Sequence, residues 1–161
     1  MWATIIWFIA SAAVVDLIGY GLHRWSHRPS SPLYRAHMTH HLVAYPPKRI
    51  TSQRYVGSGV DSFVIWFAPF GVAYAILVAV AGLPLLPIVI GGGLVALLNS
   101  VIHDRIHIEG SLVSRLLPKT TRRHLIHHRK MGRNFGILSS AWDRLFGTLW
   151  VSSKSRSPRQ S

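Results

Sequence analysis

The sequence predicts an all-α integral membrane protein with three transmembrane helices and a helical cap on one side of the membrane. Three observations lead to this prediction. Apolar residues make up 49% of the 161-residue chain, they are gathered into three long runs, and every lysine and arginine follows the first or the third run. A chain of this length corresponds to about one domain.

The three apolar runs each approach the length needed to cross a bilayer. Residues 2–22 carry one charge, Asp16, residues 60–83 carry one, Asp61, and residues 85–102 carry none. An α-helix rises about 1.5 Å per residue, so about 20 residues span the hydrocarbon core. The first run has no basic residues before it and is long for the apolar core of a signal peptide, so we expect it to be a span.

The distribution of positive charge predicts the orientation of the spans. The formal net charge is +13, and all 18 lysines and arginines lie in residues 24–54 and 105–159. The N-terminus and the connection at residues 81–87 carry none. Cytoplasmic loops carry such an excess of basic residues, so we expect the N-terminus outside and the cap and C-terminus in the cytoplasm. No nucleic-acid-binding motif accompanies the charge, and we expect no nucleic-acid partner.

We expect a single membrane domain over residues 1–151. The remaining residues, 152–161, are polar and basic and are predicted to form a disordered tail. The cap comprises residues 23–59 and 103–151, with short helices expected at residues 32–42 and 111–130.

Two features inside the predicted spans stand out. An unpaired charge in a bilayer is costly, so Asp16 is a functional candidate. The alternatives are that it is protonated or hydrogen-bonded to a neighbouring helix. Gly91, Gly92 and Gly93 follow one another within the third run, and small residues of this kind favour close helix packing.

Histidine has a clustered distribution that predicts metal binding. The histidines lie in four short clusters, two with the pattern HxxxH and two with the pattern HxxHH. Residues three or four apart share one face of a helix, so each HxxxH cluster presents two imidazoles together, and each HxxHH cluster adds an adjacent third. Imidazole is a preferred ligand of iron, zinc, copper and nickel. Ten imidazoles exceed the four to six positions around one ion, which predicts two metals. The ten candidate ligands are His23, His27, His37, His40, His41, His103, His107, His124, His127 and His128.

Within this set, some side chains are expected to support a ligand rather than bind metal. Among the histidines, His27 and the middle histidine of each HxxHH cluster are the candidates for that part. Asp104 and Asp143 are candidate acceptors of imidazole N–H groups, which would fix the orientation of the rings. The alternative for each carboxylate is a pair with the neighbouring Arg105 or Arg144.

The cluster order resembles a known enzyme family. The succession HxxxH, HxxHH, HxxxH, HxxHH, with a helical hairpin before the third cluster, is similar to the fatty acid hydroxylase/sterol desaturase superfamily of membrane non-haem di-iron enzymes. The resemblance extends over residues 22–150 and includes the ending WDRLFGT, from Trp142 to Thr148. It implies two iron ions on the ten histidines, which zinc can replace on purification, and O2-dependent oxidation of a lipid C–H bond. Members of that family usually have four spans, whereas three are visible here.

The same resemblance implies an external electron donor. The chain has no cysteine, and it contains none of the sequence patterns that bind flavin, nicotinamide, haem or an iron–sulfur cluster. We therefore expect a ferredoxin- or cytochrome-type protein to dock on the basic face.

Three functions are compatible with these patterns. A lipid hydroxylase acting on a fatty acyl or sterol-like substrate in the bilayer is the first, with hydroxylation favoured over desaturation. A carotenoid ring hydroxylase is the alternative within the family. A divalent-metal transporter or another metal-binding membrane protein is the alternative from a different class, although transporters place their ligands at mid-bilayer depth.

Overall fold

The protein is described by a computed structural model that covers residues 2–57 and 63–150, with the side chains of residues 63–70 left out of that description. Over these residues it is helical, and its only β-type pairing is an isolated bridge between Ser52 and Ile108. The predicted tail at residues 152–161 and the start of the predicted second span lie outside the described residues. The helices are α1 (Trp2–Ser26), α2 (Tyr34–Thr39), a π-helical turn (His40–Ala44), α3 (Phe63–Val80), α4 (Leu85–Ile106), α5 (Leu112–Leu116), α6 (Pro118–Arg129) and α7 (Ala141–Leu145).

Two helices of the described residues are long and apolar enough to cross a membrane. They are α1 and α4, with 25 and 22 residues. Both helices continue about one turn past the predicted ends of their apolar runs, so each carries the first histidine of an HxxxH pair in its last turn. The described apolar part of α3, Gly71–Val80, is shorter than a span. A third crossing by α3 therefore remains a prediction.

Close contact between α1 and α4 explains two of the three consecutive glycines. A Cβ atom added at Gly91 would lie 2.5 Å from the backbone oxygen of Phe8, and one added at Gly92 would lie 2.8 Å from Cγ2 of Val15. Neither helix could approach as closely with a side chain at these positions, as predicted. Gly93 differs, because an added Cβ atom would meet nothing within 4 Å.

The cap helices differ in detail from the predicted ones. The expected helix at residues 32–42 is a short α-helix that widens into a π-helical turn, and the expected helix at residues 111–130 is two helices. Proline lacks a backbone N–H group and is well placed at the first position of a helix, so Pro118 begins α6 instead of continuing α5. The two halves of the cap meet at Ser52, whose N–H donates to the carbonyl of His107 at 2.9 Å.

The C-terminal segment is hydrogen-bonded to α1. The indole Nε1–H of Trp142 donates to the carboxylate of Asp16 at 2.9 Å, and the Tyr20 hydroxyl lies 2.9 Å from that of Thr148. Of the expectations for Asp16, the hydrogen bond to a neighbouring element is the one found. Beside these contacts, a buried cluster of Ile102, Ile106 and Ile137 packs against α1. The cap therefore sits directly on the ends of α1 and α4.

Candidate metal centre

All ten histidines converge inside the cap. Eight of them are buried, with at most 2% of the side chain exposed, and His27 and His37 are partly buried. Nine fall into two groups whose ligand atoms lie within 4.8 Å of one another. His128 adjoins the second group, because its Nε2 lies 3.2 Å from Nε2 of His40. The first group is His23, His27, His37, His41 and His127, and the second is His40, His103, His107 and His124.

The two groups exchange one histidine each. The first group takes the HxxxH pair at the end of α1 and the outer histidines of the cluster that follows, His37 and His41. The second takes the pair at the end of α4 and the outer histidines of the last cluster, His124 and His128. The middle histidines cross over, so that His127 joins the first group and His40 the second. Each group therefore draws on both halves of the chain.

Four ring nitrogens of the first group form a closed four-sided figure. Nε2 of His27 lies 2.9 Å from that of His37 and 3.1 Å from that of His127. Nε2 of His41 lies 3.1 Å from that of His37 and 3.2 Å from that of His127. A square with sides of about 3.1 Å has its centre about 2.2 Å from each corner, close to the length of a metal–imidazole bond.

Hydrogen bonds alone do not account for this arrangement. A ring nitrogen has one in-plane position, which holds either a proton or a lone pair. Each of the four nitrogens can therefore enter only one hydrogen bond, so at most two of the four contacts can be hydrogen bonds. A cation at the centre would be attracted to all four lone pairs at once. The donor set fits a metal ion.

The second group shows the same spacing. Nε2 of His107 lies 3.1 Å from that of His124, and Nε2 of His40 lies 3.2 Å from that of His128. The ring of His103 faces this set, with its centroid 4.7 Å from that of His40 and 4.8 Å from that of His124. Five imidazoles thus surround this position too.

Backbone carbonyl groups fix the tautomer of four histidines. The Nδ1–H group of His23 donates to the carbonyl of Phe135 at 2.6 Å, and that of His107 donates to the carbonyl of Ile50 at 2.8 Å. His127 donates likewise to Arg133 at 2.7 Å, and His128 to Tyr45 at 3.1 Å. A carbonyl oxygen can only accept, so a neutral ring keeps its lone pair on Nε2, the atom that faces the other histidines.

Burial keeps these rings neutral. Desolvation lowers the pKa of His27 to about 4, and that of His107 to about 3, with His103 adding to the latter shift. It also lowers the pKa of His128 to about 2, with repulsion from His107 as the next cause. Desolvation, followed by repulsion from neighbouring histidines, holds the pKa well below 6.5 for the other cap members, His37, His40, His41, His124 and His127. Neutral imidazole is the form that binds metal.

Two aromatic rings cover the centres. Tyr45 is fully buried, and its ring stacks on that of His107 with centroids 4.0 Å apart. The ring of Phe135, 4% exposed, lies 5.4 Å from those of His27 and His127. Tyr45 thus covers a ring of the second group, and Phe135 covers rings of the first.

The two predicted carboxylates have different positions. Oδ1 of Asp104 lies 3.4 Å from Nδ1 of His103, near the predicted role, although the separation is long. Asp143 requires a correction, because its carboxylate accepts from the backbone N–H groups of Phe135 and Gly136, each at 2.9 Å, and from the Thr148 hydroxyl at 2.7 Å. These donors satisfy a fully buried carboxylate, and the carbonyl of Phe135 in turn orients His23.

Sequence reasoning missed the groups that hold the imidazoles. Four backbone carbonyls take the part for which carboxylates were predicted, and no residue type marks them because every residue has a carbonyl group. The aromatic cover was also missed. A tyrosine four residues after His41 carried a weak indication at most, since its stacking partner, His107, is far away in the sequence.

Comparison with known proteins finds one family. The model of the family described as fatty acid hydroxylase matches residues 8–148, which is most of the chain and includes all ten histidines. No curated protein and no solved structure matches the chain.

Proposed function

Because this chain belongs to the fatty acid hydroxylase family, we propose that it is an O2-dependent di-iron membrane enzyme that hydroxylates a C–H bond of a lipid. Membership makes it an oxidoreductase associated with a membrane, in agreement with two apolar helices and a histidine-rich site. The observation that carries the proposal is the pair of histidine groups, each with ring nitrogens at ligand spacing.

The ten histidines would hold two iron ions, which when bound supply the redox chemistry that activates O2. The chain's own contributions are visible in its contacts. Backbone carbonyls orient four imidazoles, burial keeps them neutral, and Tyr45 and Phe135 exclude water from around them. A buried environment protects a reactive oxidant from side reactions with solvent.

Metal content per chain tests the dinuclear site. The protein is purified in detergent from iron-supplemented cells together with the variants His37→Ala and His127→Ala. About two irons per chain, reduced in both variants, is the expected result. Two zinc ions would support the site and leave the oxygen chemistry to a separate assay, whereas the absence of stoichiometric metal would overturn the proposal.

The substrate proposed is a fatty acyl or sterol-like lipid dissolved in the bilayer, with a carotenoid ring as the alternative. Chromatography of lipid and pigment extracts from cells with and without the gene separates the two. A new hydroxylated acyl or sterol product supports the first, and a hydroxylated carotenoid supports the second. Metal transport is disfavoured, because the histidines of α1 and α4 lie in the last turns of those helices and not at mid-span.

The electron donor is proposed to be an acidic ferredoxin- or cytochrome-type protein that docks on the cytoplasmic face of the cap. Opposite charges accelerate such an encounter, and salt weakens it. Turnover with a reconstituted donor should therefore fall as ionic strength rises, and turnover independent of salt would count against this docking mode. The exposed basic residues available on the cap include Arg35, Arg105, Arg115, Arg122, Arg129, Lys130, Arg133 and Arg144.

A further inference from the structure

A cavity of about 210 Å³ lies between α1, α3 and α4, within the apolar part of the molecule. Its walls are almost entirely hydrocarbon, and no described charged side chain lines it. Val15 and Ile18 of α1 form one wall, Gly71 and Tyr74 of α3 another, and the third wall is formed by Val89, Gly92, Gly93 and Ala96 of α4.

Two of the glycines in these walls are not required by helix packing. An added Cβ atom at Gly71 or Gly93 would meet nothing within 4 Å, in contrast to Gly92, where Val15 is 2.8 Å away. A glycine in a helix costs about 1 kcal/mol relative to alanine. The absence of both side chains has one visible effect, which is to keep this space open.

The cavity lies on the same side of α4 as the histidines. Gly92, Ala96 and His103 recur at intervals of four and seven residues, which places them on one face of an α-helix. His103 is seven residues beyond Ala96, or about 10 Å along the helix axis. Ile18, which lines the cavity, also packs against the buried cluster of Ile102, Ile106 and Ile137. Apolar residues therefore continue from the cavity towards the end of α4 that carries His103.

We propose that this cavity binds the hydrocarbon tail of the lipid substrate while a carbon nearer the polar end lies at the histidines. This inference rests on the proposed function and narrows it. An apolar cavity of about 150 Å³ holds one benzene molecule. The cavity therefore has room for a segment of a single acyl chain, whereas a sterol would have to leave most of its four fused rings outside it.

The occupant follows from the surroundings of the cavity. It sits between α3 and the two helices long and apolar enough to cross a membrane, where the available apolar solutes are lipid chains. Tyr74 supplies a polar atom at its edge, but the hydroxyl donates to Ser11 at 3.2 Å, and Ser11 donates in turn to the carbonyl of Ile88. No polar group of the ligand is needed to satisfy these atoms, which suits an unsubstituted chain.

A photoreactive fatty acid tests the assignment. Hexadecanoic acid with a diazirine on its terminal carbon is irradiated with the full-length protein in phosphatidylcholine nanodiscs, and the labelled peptides are identified by mass spectrometry. We expect labelling of α1 and α4 at the cavity walls. Unlabelled hexadecanoic acid should compete, and cholesterol should not.

Paired substitutions give the control. Gly93→Leu fills the cavity and should lower labelling about tenfold, the discrimination expected when a few carbons no longer fit. Gly21→Leu is the matched control, because Gly21 is also helical, exposed and free of neighbours within 4 Å, but lies outside the cavity. Gly71→Leu fills the same space from α3 and decides the question if Gly93→Leu fails to fold.

The outcomes separate this inference from the proposed function, because iron content and O2-dependent oxidation are measured on the same samples. Unchanged labelling in both cavity variants, or competition by cholesterol equal to that by hexadecanoic acid, overturns the cavity assignment. An iron-loaded Gly93→Leu variant that forms product at the wild-type yield also overturns the cavity assignment, but it leaves the proposed function unaffected. A wild-type protein that is labelled at the cavity but oxidises nothing shows that the cavity binds an acyl chain, and overturns both the proposed function and the assignment of that chain as substrate.

Discussion

At the scale of single residues, imidazole orientation depends mainly on the backbone. Four rings donate to carbonyl oxygens, and substitution of the residues that own these carbonyls leaves the acceptor in place. Asp143 is where a side chain can disturb this arrangement, since it holds the N–H of Phe135, whose carbonyl orients His23. The segment around Asp143 is thereby connected to the histidine cluster.

Asp143→Asn should destabilise the protein. An amide has one acceptor oxygen and presents N–H groups where the carboxylate accepts from Phe135 and Gly136, so a buried donor loses its partner. We expect a loss of about 1–3 kcal/mol in the free energy of unfolding. Thermal unfolding in detergent measures it, with Asp104→Asn as the control, because Asp104 is 28% exposed. Equal melting temperatures for the two variants would contradict this role.

The crossed histidines predict which centre each variant loses. His40→Ala should weaken the second centre although its neighbours in sequence serve the first, and His127→Ala should weaken the first. Each variant should retain about one iron per chain, because the five histidines of the other group are unchanged. Iron analysis after gel filtration checks this, with the exposed Thr39→Ala as a control. Full iron content in both variants would show that the crossing histidines do not bind metal.

Histidine spacing could predict that the residues converge but not how they divide. Periodicity places His37 and His41 on one face of a helix, as found. It leaves His40 about a quarter turn away and does not predict which group His40 joins. Its partner, His128, is 88 residues distant, and no local pattern encodes that contact. Asp143 differs from its predicted role for another reason, because it accepts mainly from nearby backbone N–H groups, which no residue type marks.

At the scale of helices, the three adjacent glycines of α4 have separate roles. Gly91 permits contact with the Phe8 backbone, whereas Gly93 borders open space. Gly91→Ala should therefore lower the free energy of unfolding, because the backbone oxygen of Phe8 cannot easily move aside. The expected loss is the roughly 1–3 kcal/mol that overpacking typically costs. Gly93→Ala should leave stability within about 0.5 kcal/mol of the wild type or raise it. Thermal unfolding of both variants measures the difference, and equal destabilisation would contradict it.

Apolar runs predicted α1 and α4 well, because hydrophobic length depends on composition alone. The HxxxH pairs predicted that both helices run on past their apolar runs. They continue for about another turn beyond Leu22 and Ile102, and their buried histidines pack inside the cap. Pro118 is an interruption visible in the sequence, whereas the π-helical turn at His40–Ala44 carries no residue signature.

At the scale of the whole molecule, the buried histidines predict acid sensitivity of the metal-free protein. The pKa is about 4 for His27 and about 3 for His107 in the folded state, against 6.5 in an unfolded chain. As pH falls below 6.5, the unfolded chain binds protons that the folded protein does not, so stability falls until the folded pKa values are reached. Thermal unfolding with chelator should thus give a lower melting temperature at about pH 5 than at about pH 8. A melting temperature independent of pH would contradict the burial.

The proposed topology can be mapped because the chain has no cysteine. Single cysteines placed at the exposed Ala81 and Lys119 lie on the α3–α4 connection and on the cap. In intact cells, an impermeant maleimide should label Ala81→Cys, and Lys119→Cys should react only after lysis, because basic segments face the cytoplasm. The reverse pattern would show the opposite orientation. Labelling of both cysteines in intact cells would show that the two positions do not lie on opposite sides of the membrane.

The membership of His127 in the first group also determines when, during synthesis of the chain, metal can bind. The first four ligands of that centre are synthesised early, but the fifth lies 86 residues after His41. A nascent chain that has inserted α1 can offer iron an incomplete shell only, and the second centre waits equally for the last histidine cluster. Both ions are therefore expected to enter after His128 has been synthesised, when the two histidine-bearing halves can meet.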